Sequence, residues 1–151
     1  MLDFLQGFSP ATHLLITIAA PLVGAVAAWL LGHRGLPAVR QSAAVSSLIT
    51  LGLAGTLVLR FLSSDAIASG GFFASGEFGW FVTGPLDIHF SVGLDGLSIW
   101  LFGLTALLTV SAVFVGWNAA EEKAVGFYGL LLLLEAAMLG VFAARDIILF
   151  Y

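Results

Sequence analysis

The sequence predicts an all-α integral membrane protein. It would have four transmembrane helices, the start of a fifth, and a short outer-side β-hairpin between helices 2 and 3. Of its 151 residues 60% are hydrophobic and only 9% charged, whereas about 25% are charged in an ordinary soluble domain. Four apolar runs are long enough to cross a hydrocarbon core of about 30 Å. An alternating stretch between the second and third runs predicts the hairpin.

The composition also excludes several classes of function. The chain has no cysteine, which excludes a disulfide framework, thiolate metal sites and cysteine nucleophiles. Its net charge of −4 comes largely from the connecting segments and suggests no nucleic-acid partner. The first apolar run follows a start that carries Asp3 rather than basic residues, so it does not resemble a signal peptide.

The first two spans are predicted at residues 14–31 and 42–62. Pro21 lies inside the first and predicts a kink, because proline donates no backbone hydrogen bond. The polar connection between the spans carries Arg34 and Arg40 but no acid. By the positive-inside rule it is cytoplasmic, which places the N-terminus on the outer side. In the second span, Gly52, Ala54 and Gly55 are interpreted as residues that allow close helix packing.

The second connection, residues 63–91, contains three acids and no lysine or arginine, which is typical of the outer side. Near its end, apolar residues alternate with Asp87 and His89, as in a strand with one wet face. With Gly84-Pro85 as a turn, residues 80–90 are predicted to form a hairpin on the membrane surface. No second ligand accompanies His89 at a metal-binding spacing, so no metal site is expected.

The third span is predicted at residues 95–117. Asp95 is expected to cap its first turn, where a carboxylate accepts free backbone amides and suits the helix dipole. Small and hydroxylated residues, Thr105 and Thr109 among them, recur on one face of this span. That pattern predicts a helix–helix contact, and the alternative is a face that holds water beside the fourth span.

The fourth span is predicted at residues 124–144, and its one charged residue, Glu135, lies at the midpoint. At about 1.5 Å per residue the span is roughly 32 Å long, so Glu135 would lie near the bilayer centre. A charge there costs on the order of 3 kcal/mol. We therefore expect the carboxyl to be protonated, paired or in contact with water. It is a candidate for proton transfer, and the alternative is a structural hydrogen bond to a neighbouring helix.

Beyond this span, Arg145 and Asp146 lie at the outer face, and Asp146 is interpreted as a structural acid. Another apolar run begins at residue 147 and reaches only Tyr151. The chain is therefore expected to be the first part of a longer protein, a cropped sequence or a partial one.

Two stretches resemble the antiporter-like membrane subunits of respiratory complex I, most closely those of the subunit M type. They are VGLDGLS at residues 92–98 and LLLEAAMLGVFAARDIILFY at residues 132–151. The stretches are separated by one span and a short inner loop, as in that family. Mrp-type cation/proton antiporters and membrane-bound hydrogenases contain subunits of the same design.

The resemblance implies that residues 1–151 are the N-terminal part of one polytopic membrane domain. It would belong to a non-redox subunit that couples quinone reduction to proton translocation. It would contact other membrane subunits in the bilayer of a bacterial inner membrane. The chain alone would not be catalytic and would bind no cofactor, with NADH, flavin, iron–sulfur clusters and quinone on other subunits.

In that family the main proton-carrying glutamate would lie a few residues beyond Tyr151. Arg145 departs from the uncharged residue that is more usual at its position. Two alternatives stay open: an Mrp-type antiporter subunit that works without electron transfer, and a small four-span assembly or scaffold protein in which Glu135 only joins helices.

Overall fold

The computed structural model describes residues 9–63, 73–83, 86–117 and 123–144. Within these ranges the chain forms four long α-helices, one 3₁₀ turn and one pair of strands. In chain order they are α1 (Pro10–Leu30), the 3₁₀ turn (Leu31–Arg34), α2 (Leu36–Leu62), β1 (Phe73–Thr83), β2 (Leu86–Leu94), α3 (Ser98–Val115) and α4 (Ala124–Ala143). All four helices are long and apolar enough to cross a membrane. The prediction of four such helices is confirmed.

Helix α2 begins six residues earlier than the sequence suggested, so residues 36–41 are not part of the connection. Gly35 adopts φ +98°, a left-handed conformation that glycine enters without steric cost, and the chain reverses there. Pro37 then lies in the first turn of α2, where a missing N–H costs no helical hydrogen bond. Arg40 extends from this turn to the ring of Trp117, with its guanidinium carbon 5.9 Å from the ring centroid.

The segment before α3 contains an antiparallel pair of strands. The register runs from Phe73 opposite Leu94 to Thr83 opposite Leu86, with two irregularities along it. Several sequence predictions lie outside the described residues: the turn at Gly84-Pro85, the side chains of Asp87 and His89, Asp146, and the start of a fifth helix at residue 147.

The helices pack as a bundle in which α1 contacts α2 and α4, α3 contacts the same two helices, and α2 also contacts α4. The name Gly35 end is used for the end of the bundle where α1 is followed by α2 and where α4 starts. The opposite end, where the strands lie, is the hairpin end, and a bridge between Val92 and Ala144 joins β2 to the end of α4 there.

Two separate apolar clusters form the core. The hairpin-end cluster consists of Leu14, Ala54, Leu57, Phe61, Val92, Leu94, Ile99, Phe102, Ala106, Leu139 and Ala143. The Gly35-end cluster consists of Ala28, Val39, Ala43, Ala44, Val113, Ala124, Tyr128 and Leu132. Every one of the four helices contributes to both clusters, so each helix also passes through the layer between them.

Close helix contact occurs at a different glycine from those the sequence indicated. A Cβ on Gly24 would lie 1.9 Å from the Ser46 hydroxyl oxygen, so α1 and α2 approach closely there. By contrast, a Cβ on Gly52 or Gly55 would meet nothing within 4 Å in the described part of the chain. Within the described residues Gly52 and Gly55 are therefore not packing residues, whereas Ala54, the third residue of that interpretation, is fully buried in the hairpin-end cluster.

Candidate functional site: a polar layer in the bundle

Glu135 lies inside the bundle, on the face of α4 that packs against the other helices. Its side chain is 0% exposed. Along α4 it falls between Leu132 of the Gly35-end cluster and Leu139 of the hairpin-end cluster. Within the described residues, neither carboxyl oxygen has a hydrogen-bond partner. A buried polar group without a partner is costly, so its environment calls for an explanation.

The other three helices also place buried polar side chains between the two apolar clusters. On α1, Thr17 lies between the cluster residues Leu14 and Ala28. On α3, Thr109 lies between Ala106 and Val113. The polar residues of α2 lie between Ala44 and Ala54 and are Ser46, Ser47 and Thr50. We call this set the polar layer: Thr17, Ser46, Ser47, Thr50, Thr109 and Glu135, all of them buried.

The hydroxyl protons of the polar layer are already used by backbone carbonyls. Thr17 donates to the carbonyl of His13 at 2.8 Å, Thr50 to that of Ser46 at 3.0 Å, and Thr109 to that of Thr105 at 3.1 Å. Ser47 and Ser46 do the same, to Ala44 at 3.1 Å and Ala20 at 3.3 Å. A hydroxyl has one proton and two lone pairs. Each of these groups therefore offers only acceptor capacity to the interior.

Pro21, where the sequence predicts a kink in α1, lies at the same level of the bundle as Glu135. A Cβ on Gly24 would approach Leu132, and one on Gly32 would approach Val125, so α1 and α4 are antiparallel. Pro21 lies three residues before Gly24, and Glu135 lies three residues after Leu132. In this antiparallel pair Pro21 is therefore level with Glu135. Proline has no N–H to donate to the carbonyl four residues earlier, here that of Thr17. This carbonyl adds one more acceptor near the layer.

The arrangement has a clear chemical consequence. An ionised Glu135 would add two further acceptors to a group of acceptors, whereas a protonated carboxyl supplies a donor. A water molecule could supply donors to either form, and buried waters are found where otherwise unsatisfied polar groups can hold them. The site is thus suited to holding a proton, with or without water. Within the described ranges no cluster of metal-ligating side chains occurs.

A second buried polar group, centred on His13, was missed by the sequence analysis. His13 is 0% exposed; its Nε2 lies 3.2 Å from the Thr56 hydroxyl and its Nδ1 lies 3.5 Å from Nη1 of Arg60. The Thr56 proton goes to the Leu53 carbonyl at 2.7 Å, so the hydroxyl oxygen accepts from His13 Nε2–H. Arginine can only donate, so Nδ1 is the acceptor. These partners together select the neutral Nε2–H form of the imidazole.

The sequence contained only a weak indication that His13 and Arg60 would form a buried polar group. His13 and Arg60 lie 47 residues apart, and only the antiparallel pairing of α1 and α2 brings them together. A histidine beside the first apolar run and an arginine near the end of the second were both visible, and pairing them across the turn would have suggested the contact.

Asp95 lies at the start of α3. Its carboxylate accepts a hydrogen bond from the backbone N–H of Ser98, and its carbonyl accepts from Ile99 N–H at 3.1 Å. The hydrogen bonds from Ser98 hold the pKa of this exposed carboxyl below its ordinary value. The geometry is that of a carboxylate serving free amides in the first turn of a helix.

No family model matches the chain. It is, however, similar over most of its length to curated proteins of one kind. It is 35% identical over 142 residues, 94% of the chain, to F420H2 dehydrogenase subunit M of Methanosarcina mazei. It is 31% identical over 142 residues, 91% of the chain, to NAD(P)H-quinone oxidoreductase chain 4 2 of Thermosynechococcus vestitus.

A shorter match, 41% identical over 66 residues and 44% of the chain, is to NAD(P)H-quinone oxidoreductase chain 4 3 of Trichormus variabilis. The matches cover 27%, 25% and 12% of these three relatives respectively. The chain thus spans about a quarter of the length of the relatives that it matches from end to end. The resemblance stated from the motifs is confirmed: this chain is a homologue, over nearly all of its length, of subunit M and chain 4 of these oxidoreductase complexes.

Proposed function

We propose that the chain is the N-terminal part of a proton-translocating membrane subunit in a quinone oxidoreductase complex. The homology to subunit M and chain 4 supports this class of complex. Its other subunits would carry NADH, flavin, iron–sulfur clusters and quinone, and this chain would act as a non-redox part of the translocase. Residues 1–151 would form part of one polytopic domain, surrounded by lipid and by other membrane subunits.

The proposed orientation follows from charge. The N-terminus and the paired strands lie on the outer side, and the Gly35 end, with Arg34 and Lys123, faces the cytoplasm. We propose a bacterial inner membrane as the location, with the strands forming a hairpin on its outer surface and a fifth helix beginning at residue 147.

Within this subunit, Glu135 is the group that we propose carries a proton. The observation that supports this most directly is that its two carboxyl oxygens are buried inside the bundle and have no hydrogen-bond partner among the residues that the structure describes. Ionisable residues inside a membrane domain usually mark proton or ion pathways. Asp95 and Asp146 are proposed as structural acids at helix ends rather than as proton carriers.

The test is Glu135→Gln in the complete complex, reconstituted in vesicles. The amide keeps the size of the carboxyl but cannot release a proton under these conditions, so we expect normal assembly, continued electron transfer and reduced proton uptake per electron. Asp95→Asn is the matched control, because it also removes one negative charge, and it should leave the pumping ratio unchanged. An unaltered ratio in Glu135→Gln would make Glu135 a structural acid.

A further inference from the structure

A cavity of about 320 Å³ lies on the outside of the bundle between α1 and α4, and its described lining is entirely apolar. Val26 and Trp29 line it from α1, and Leu130 and Leu133 line it from α4. All four side chains are at least half exposed in the described structure. We call this cavity the apolar groove. Because both helices cross the membrane, the groove is open to the hydrocarbon of the bilayer.

Two glycines of α4 keep the apolar groove open. Gly126 and Gly129 belong to its lining, and a Cβ on either would meet no described atom within 4 Å. They are three residues apart, so they lie on the same face of the helix. A slender apolar occupant can therefore lie directly against the backbone of α4.

A second cavity, of about 430 Å³, continues the groove at the Gly35 end. The two cavities share Val125 and Gly126 in their linings. The second one is also lined by Lys123, which is exposed. Arg34 is exposed as well, in the 3₁₀ turn that borders this cavity. The groove thus leads from an apolar region of the surface to a basic one.

The charges at this end favour a negatively charged occupant. Within the described residues the Gly35 end carries Arg34, Arg40 and Lys123 and no carboxylate. Glu121 and Glu122 precede Lys123 in the sequence and lie outside the described residues. Basic pockets between transmembrane helices, at the level of the membrane surface, are typical binding sites for anionic lipid headgroups.

The depth of the groove favours a lipid over a protein helix. Leu133 lies ten residues after Lys123, which corresponds to a rise of roughly 15 Å along α4. The hydrocarbon core is about 30 Å thick, so the groove extends through one leaflet, as an acyl chain does. A second transmembrane helix would run through both leaflets. Trp29, next to the end of α1, is also placed as tryptophans are at a membrane interface.

We propose that the apolar groove and the cavity next to it bind one anionic phospholipid. One acyl chain lies in the groove between α1 and α4, and the phosphate of the headgroup lies beside Lys123. This inference uses only the embedding of the four helices in a membrane. It does not rest on the proposed proton-carrying role of Glu135 or on the proposed orientation.

The test uses the complete complex in phosphatidylcholine vesicles that contain a small fraction of photoactivatable phosphatidylglycerol, with a diazirine in the middle of one acyl chain. A parallel sample contains a phosphatidylcholine probe with the same acyl chain. After illumination, the modified residues of this chain are mapped by mass spectrometry. Leu108 is the background position, because it is exposed on α3 and lies seven residues from Val115 at the Gly35 end of that helix. Leu130 lies equally far from Lys123.

We expect the anionic probe to modify Trp29 and Leu130 about fivefold more than the neutral probe does, the preference that one basic residue gives to an anionic lipid. Both probes should modify Leu108 equally. Equal modification of the groove by the two probes would overturn the proposal and leave ordinary boundary lipid there. Lack of modification by either probe would also overturn it, because the groove would then be covered by protein.

Two substitutions of Lys123 test where the headgroup lies. Lys123→Gln removes the charge and should bring the preference for the anionic probe close to one. Lys123→Arg keeps the charge and should retain the preference. A preference that survives in Lys123→Gln would overturn the position of the phosphate beside this residue.

A further pair of variants tests where the acyl chain lies. Gly129→Leu fills the groove and should lower the modification of Trp29 several-fold. Gly140→Leu is the matched control, because this glycine of the same helix is absent from the described lining and its Cβ would also meet no described atom within 4 Å. Equal modification of Trp29 in both variants would overturn the seating of the chain. If Gly129→Leu fails to assemble, the two probes on the wild type and the Lys123 variants still decide the proposal.

Discussion

At the scale of single residues, the bundle depends on small differences in side-chain size and hydrogen-bonding capacity. The contact between Gly24 and Ser46 is the clearest case of size. A methyl group on Gly24 would fall 2.4 Å from Ser46 Cβ as well as 1.9 Å from its hydroxyl oxygen. Rotating the serine side chain therefore cannot relieve the clash, and α1 would have to move away from α2.

We expect Gly24→Ala to destabilise the assembled subunit by about 1–3 kcal/mol, the usual range for overpacking. Gly52→Ala is the control, because its Cβ would meet no described atom within 4 Å. It should be neutral or stabilising by up to about 1 kcal/mol, since alanine favours a helix. Thermal unfolding of the purified complex in detergent measures both, and equal melting temperatures would show that α1 and α2 can separate at no cost.

The hydrogen bonds of His13 lead to a second prediction at this scale. Thr56→Val keeps the shape of the side chain but removes the oxygen that accepts from His13 Nε2–H. Leaving a buried donor unsatisfied costs about 1–3 kcal/mol. We therefore expect Thr56→Val to lower the melting temperature of the complex, while Thr56→Ser, which retains the hydroxyl, should stay close to the wild type. Equal effects of the two substitutions would argue against the neutral Nε2–H form.

At the scale of elements, the helix boundaries follow local chemistry that can be tested at the start of α3. Asp95 accepts from the Ser98 N–H, and replacing a capping side chain by alanine typically costs about 1 kcal/mol. We expect Asp95→Ala to destabilise the subunit by about that amount at neutral pH.

The pH dependence of this effect has a definite sign. The pKa of Asp95 is lowered in the folded chain, so its contribution is present above the unfolded-state pKa and is lost as the pH falls through the folded value. The difference in stability between wild type and Asp95→Ala should therefore shrink as the pH is lowered below about 4. A difference that grows on acidification would contradict the capping role.

At the scale of the whole molecule, the two ends of the bundle should face opposite sides of the membrane. His33 and Lys123 are exposed at the Gly35 end, and Leu97 is exposed at the hairpin end. Single cysteines at these positions, introduced into the cysteine-free chain, can be labelled with a membrane-impermeant reagent in sealed vesicles.

We expect His33→Cys and Lys123→Cys to react from the cytoplasmic side and Leu97→Cys from the outer side, as the arginines of the first connection predict. Reaction of Leu97→Cys from the same side as His33→Cys would reject the four-span topology. The reverse sidedness of all three would keep the topology and invert the orientation.

Much of this molecule follows from sequence alone. An uninterrupted apolar run must become a helix in a membrane, because only a helix satisfies its backbone hydrogen bonds within one segment. The four helices, the central position of Glu135 and the relationship to subunit M were therefore accessible from residue order. The early start of α2 was not, since polar residues such as Arg40 and Gln41 mark a loop by composition. Only the reversal at Gly35 shows that they belong to the helix.

The tertiary structure decided which of these residues meet. The helical pattern of a sequence does not predict that Thr56 will accept a hydrogen bond from His13, or that the Ser46 hydroxyl will lie against Gly24. Such contacts depend on the register between neighbouring helices. Register is set by side-chain packing over the whole interface. The same reasoning applies to Glu135: its position at the middle of an apolar helix was evident from the sequence, whereas the burial of its carboxyl without a hydrogen-bond partner among the described residues depended on how the four helices pack.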